Sequence, residues 1–599
     1  MSSWGCLRGL VGSRIDCDGS YFRSVVLRCG RIVTTLVVVC GPSSALSDSV
    51  KLVDQGEGWT EARRQQFYMQ DQGSRMMPLS WIKALKQPDG TGFMADVLSR
   101  YGYLPKPESA RPDLPVGFTV ADEKGVPTIG MTCAACHTRQ IEVSGNAYRI
   151  DGGPAIVDFQ GFLADLDRAV GAVLATPGAL ATFASEVLGA SHTPAEAATL
   201  LSELETWYLR YHTLMERALP TEEWGPSRLD AVSMIFNRLA GLDIGLPPAY
   251  LIPDNIFPAD APTRYPFLWN AARQDKTQWP GFADNGNNIL GLARNLGEVY
   301  GVFAAFHPQK SGSILSLNVD YLATNSANFG GLETLESLIW KIGPPKWSWE
   351  LDESLVAEGA AIYARSTAEG GCADCHGIRK GAFRGPFHST WATPIQDVGT
   401  DTRECRILTR VVETGVLEGA RIPIVAAPLK AEDTVFNVLR MAVLGAIIQN
   451  TLRIRATSAL ETAAADEALP FEIEYLKGAF RSAPLKPLAE SADVEPGCAY
   501  EARVLQGIWA AAPYLHNASV PSLGELLKPA SERVSEFRIG PNYDLEAVGL
   551  AADQAQFDYT LKTTDCAERD SGNSRCGHEY GTTLPADERK ALLEYLKSL

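Results

Sequence analysis

Two copies of one five-residue pattern constrain this 599-residue chain more than any other feature. Cys133-Ala-Ala-Cys136-His137 and Cys372-Ala-Asp-Cys375-His376 begin 239 residues apart. In C-x-x-C-H the two thiols are spaced to bond the two vinyl groups of one haem c, and the next residue comes under the iron as its proximal ligand. A zinc ribbon would space its cysteine pairs roughly 15–20 residues apart. A thioredoxin-type dithiol would explain neither the histidine nor its repetition. The pattern predicts two covalently bound haem c groups, held by Cys133, Cys136, Cys372 and Cys375 and ligated by His137 and His376.

The rest of the chain has the balance of an ordinary globular protein, 45% hydrophobic and 21% charged with mean hydropathy −0.06. Its length allows roughly two to four domains, because a single core stops growing at about 250–300 residues. The formal charge of −17 repels phosphate backbones, so nucleic-acid binding is excluded and cationic partners are favoured. Two Arg precede a short apolar run, Ile32 to Cys40, and Ser43-Ser44-Ala45 follows it. This predicts a signal peptide over 1–45, with the start assigned too far upstream, and a periplasmic or secreted protein. The run is too short to cross a bilayer, so no membrane span is expected. Removing five Arg and two acids with the segment would deepen the charge to −20.

Four more cysteines, Cys405, Cys498, Cys566 and Cys576, form an even set suited to disulfides in an exported chain. Cys566 and Cys576 bracket a short polar loop and favour each other, although three pairings are open. Each haem motif sits in its own half, divided by the break Gly343-Pro344-Pro345. A fresh helical start from Asp352 runs toward Cys372. The expected fold is therefore mainly α, with two cytochrome c-like haem domains, 46–345 and 346–599, and extended loop-rich insertions. Thr193-Pro194-Ala195-Glu196 is a capping box opening a helix to about Leu219. The apolar stretch from Phe436 to Leu452 is interrupted by Asn437, Arg440, Gln449 and Asn450 and reads as a core helix.

A weak repeat relates WNAARQDKTQWPGF, from Trp269, to WAAAPYLHNASVPSL, from Trp509. His516 follows Cys375 by 141 residues and Trp279 follows Cys136 by 143. If these are equivalent loops over the two haems, the second offers His516 to iron while Trp279-Pro280 offers the first nothing that ligates. One closed and one open haem result.

In these segments the chain resembles the bacterial di-haem cytochrome c peroxidase superfamily. The resemblance rests on APYLHNASVPSL, on Gly577-His578-Glu579-Tyr580-Gly581 and on the Pro266 to Gly281 segment. DQGSRMMPLSWIKAL, MTCAACHTRQIEV and YRIDGGPA look most like the branch containing the di-haem rubber oxygenases. The resemblance implies an N-terminal catalytic haem on His137 and a C-terminal electron-transfer haem between His376 and His516. It also implies that Trp279 is an electron relay, that Glu298 is a distal general acid–base, and that Asn270 helps to hold an inter-domain Ca2+. Other roles compete: Trp279 as plain core, and Glu298 as a partner of Arg294 on its helix. His578 reads as a structural hydrogen-bonding residue, with His388 the nearby competitor for iron. Many peroxidases of this superfamily keep a switchable histidine soon after the first motif, and Val143–Ala155 has none.

Three functions fit: a haem oxygenase using O2, a peroxidase reducing H2O2 with electrons from a cationic cytochrome or cupredoxin, and a pure electron carrier. The last needs a sixth ligand on the first haem, for which only His307 lies within reach.

Overall fold

The computed structural model describes residues 50–106, 111–312, 317–384, 389–422, 427–461 and 498–599. The expected signal peptide, residues 1–45, and His388 lie outside them. Local signals account for how the first motif is presented. Strands Phe118–Glu123 and Val126–Met131 pair antiparallel around Lys124-Gly125, and Thr138–Val143 and Asn146–Asp151 pair around Ser144-Gly145. All four turn residues have positive φ, which a two-residue hairpin needs to match the twist of its strands. The single turn Cys133–Ala135 and its His137 hang between these two hairpins. Gly117, at φ +79°, leaves room for that turn, since a Cβ there would meet the Ala135 nitrogen at 2.0 Å.

The second motif is approached by the helix Glu353–Tyr363, started by Asp352, whose carboxylate accepts from the Ser354 and Leu355 amides. The Tyr363 carbonyl then accepts from the Cys372 amide. Gly359 lets this helix close on the C-terminal helix Ala586–Ser598, because a Cβ would lie 2.0 Å from the Ala591 carbonyl oxygen. The capping box at Thr193 forms as expected and opens the helix Pro194–Ala218. Cys405 pairs with Cys498 and Cys566 with Cys576, while the four motif cysteines remain thiols. The helix Val435–Glu461 is long and apolar enough over Val435–Ile454 to cross a membrane, but 61% of that window is buried. It packs against Asn288–Gly301, with Val438, Met441 and Leu444 joining Leu296 and Val299 in one core.

The mainly α expectation is overturned. The chain is 39% helix and 16% strand, and the strands form ten sheets of two or three strands among the described residues. Two cytochrome c-like haem domains are not evident either. Ser49–Leu599 is one compact unit, and one core joins Phe267, Trp269 and Ile339 to Ile362, Trp509 and Leu592. The Pro/Gly break is pinned: the Pro345 carbonyl accepts from Trp509 Nε1 at 3.0 Å, and the Lys346 amide donates to the Asp54 carbonyl. Most of the strands are two or three residues long, too short to show a period in the local sequence.

Gly117→Ala forces a methyl group and an unfavourable φ against the first motif. It is expected to destabilise the protein by about 1–3 kcal/mol, read as a lower urea midpoint at unchanged slope.

Candidate haem sites

The first motif opens onto a cavity of about 1550 Å3, open space at its mouth included. Cys133, Cys136 and His137 form one wall, and Phe159, Leu163, Leu214, Val232 and Phe303 make much of the rest apolar. Within the motif's turn the His137 amide donates to the Cys133 carbonyl, and the Cys133 thiol points to Gln72 Oε1 at 3.5 Å. Burial, partly offset by the Pro266 carbonyl, pushes the His137 imidazole down to about 4. It is therefore neutral, as a metal ligand must be.

Glu298 lies near the end of the helix Asn288–Gly301 and faces this cavity. Gln278 Nε2 donates to its Oε1, and burial holds its carboxyl above the usual glutamate value. The alternative pairing with Arg294 does not form, because Arg294 bonds Glu336 and Asn285 instead. Glu404 faces the same space with neither carboxyl oxygen partnered, and burial pushes it well up.

The second motif opens onto a cavity of about 1030 Å3, again with open space included, lined by Cys372, His376, His516 and His578. His376 Nδ1 donates to the Arg503 carbonyl at 2.6 Å, which leaves Nε2 as the ligand atom. His516 is buried in the wall, flat against Tyr500 at 3.7 Å between ring centroids. His578, expected to be structural, has a buried Nδ1 with no hydrogen-bond partner, and its ring centroid stands 6.1 Å from that of His376. Two metal–nitrogen bonds of about 2 Å and two ring radii add to roughly that span, so His578 joins His516 as a candidate sixth ligand. Cysteines and a histidine that face a cavity fit haem c at each motif, and at the second the ring is also oriented by a carbonyl.

Trp279 is buried in the wall between the cavities and lines both, with Nε1 donating to the Arg264 carbonyl at 3.1 Å. Its surroundings therefore differ from plain core. His307 does not line the first cavity. It stacks on Tyr250 at 3.9 Å and contacts Arg210 beside a separate cavity. Asn270, the calcium candidate, gives its amide to Gln506 Oε1 at 2.9 Å. No group of three or more His, Cys, Asp or Glu that could hold a metal ion occurs among the described residues. The sequence reading missed Gln278, Glu404, Glu501, Arg264 and Arg503, which carry no motif and meet only through the fold.

Residues 499–538, which build the wall around His516, Glu501 and Arg503, match the family described as RoxA-like, cytochrome c-like. The match relates the chain to RoxA-like cytochromes c and points to haem c as its cofactor. The chain is 28% identical to the uncharacterized protein y4iJ of Sinorhizobium fredii (strain NBRC 101917 / NGR234) over 612 aligned positions, 92% of this chain and 94% of that protein. A second uncharacterized protein of that organism, y4iM, is 35% identical over 116 positions, 16% of this chain and 27% of its own.

Because the fold accommodates Glu404 protonated, stability is full below its ordinary value of 4.5 and is lost as pH rises above it. Urea midpoints between about pH 4 and about pH 8 should fall for the wild type and fall less for Glu404→Gln.

Proposed function

We propose that this chain is an exported di-haem c oxidoreductase that activates dioxygen or peroxide at the His137 site and oxidises an apolar substrate there. It would act in the manner of the rubber oxygenases whose motifs it resembles, with the His376 site carrying electrons. The observation behind this reading is the asymmetry of the two cavities. Among the described residues the first is lined by one histidine and largely apolar walls, and the second by three histidines. Bound haem c would supply a redox-active iron at each site.

The residues around the first site divide the remaining work. Phe159, Leu163, Leu214 and Val232 exclude water and offer dispersion contacts to an apolar substrate. Burial raises the Glu298 carboxyl and Gln278 orients it, which suits it to give a proton to a reacting oxygen and take it back. Trp279 spans the wall and shortens the gap an electron crosses between cavities. The pure electron carrier loses support because its candidate ligand, His307, is engaged elsewhere. The two disulfides support export to the periplasm or beyond. A peroxidase is the second reading, favoured by the Glu298–Gln278 pair. The charge of −17 would then draw a cationic cytochrome or cupredoxin as electron donor.

Electron paramagnetic resonance of the oxidised holoprotein should show one high-spin and one low-spin haem. Two low-spin signals would refute the open first site. His516→Ala and His578→Ala then show which of the two residues holds the low-spin centre. Glu298→Gln is expected to lower kcat by about 10²–10⁴-fold, measured by oxygen uptake and by peroxide-dependent oxidation of a reduced cytochrome. The assay that yields turnover separates oxygenase from peroxidase.

A further inference from the structure

The wall shared by the two cavities contains more buried positive charge than it neutralises. Arg264 and Arg503 are each 5% exposed, both line both cavities, and the Nη1 of each is buried without a hydrogen-bond partner. Their remaining bonds hold them in place. Arg264 Nε donates to the Leu515 carbonyl at 3.0 Å and Arg503 Nε to Gln274 Oε1 at 3.0 Å. Phe267 lies under both guanidiniums, at 4.0 Å from that of Arg503 and 5.9 Å from that of Arg264.

The nearby carboxylates do not balance them. Glu501 reaches Arg503 at 3.6 Å and has one buried oxygen unpartnered. Glu404 is accommodated in its neutral form, Arg294 is matched by Glu336, and Glu298 is bonded to Gln278. Glu501 is thus the carboxylate left facing two guanidiniums in a buried wall. An uncompensated buried charge is costly, and a guanidinium with a free Nη edge is shaped for a carboxylate. Each haem c, bonded through its vinyl edge to a motif, brings two propionate carboxylates that must find partners.

We infer that Arg264 and Arg503 are the propionate anchors of the two haems, binding the porphyrin carboxylates at the wall between the cavities. The inference rests on the haem reading above. These are positioning residues: they set how the two porphyrins sit relative to Trp279, and their charge favours the reduced form of each iron.

The test uses the holoprotein with Arg264→Gln, Arg503→Gln and the corresponding Lys variants. Pyridine haemochrome gives haem per chain, resonance Raman reads the propionate bending modes, and a spectroelectrochemical titration gives both midpoint potentials. The Gln variants should shift the bending modes and make the potentials more negative. The Lys variants should shift the modes but retain most of the wild-type potential, because the charge stays while the fork is lost. Unmoved bending modes in Gln variants that hold two haems would overturn the assignment and mean that the guanidiniums hold a free anion or none. If only the Lys variants fold, unmoved modes in them overturn it equally. A wild-type chain without covalent haem would overturn the haem reading itself, a result distinct from the others.

Discussion

The hydrogen bond from His376 Nδ1 to the Arg503 carbonyl joins the second motif to a short segment that contributes to the walls of both cavities. It fixes the tautomer of the proximal ring and thereby the nitrogen offered to the cavity. The same segment donates the Glu501 amide to the Trp279 carbonyl, and its His516 carbonyl accepts from the Arg264 amide. The latter two bonds link residues from opposite halves of the chain. Displacing this segment would move the proximal histidine of one site together with the wall of the other.

This coupling explains why the two motif halves do not separate into independent bodies. Trp269 and Trp509, the paired tryptophans of the weak repeat, are both fully buried, and each ties its indole to the opposite half. Trp269 Nε1 donates to the Gln506 carbonyl at 2.7 Å and Trp509 Nε1 to Pro345. Large aromatic groups contribute most of their stabilisation through buried area, and their polar edge needs a partner. The two tryptophans thus belong to one continuous core. Each loop of the repeat contributes to the lining: Trp279 faces both cavities, His516 faces the second, and His578 is brought to the second from the C-terminal region.

Some of this was open to inspection in the sequence. The C-x-x-C-H pairs, the capping box at Thr193, the start at Asp352 and the preference of Cys566 for Cys576 are local patterns, and each has a local physical cause. The small sheets were not legible, because a two-residue strand has no alternation to detect. The surroundings of His578 were not legible either. Its neighbours in sequence suggest a hydrogen-bonded turn, while in the fold its Nδ1 is unpartnered and its ring stands near that of His376, 202 positions earlier.

What the sequence determined by itself is the pair of C-x-x-C-H motifs: thiols and a histidine at fixed spacing lie within a single turn and need no tertiary context. Tertiary structure alone decided that Glu298 would bond Gln278 rather than Arg294, that His307 would lie outside the first cavity, and that Arg264 and Arg503 would share one buried wall. Those outcomes depend on which distant groups desolvate one another. A charge buried beside an unmatched charge is a property of the packed chain, and no spacing along the sequence encodes it.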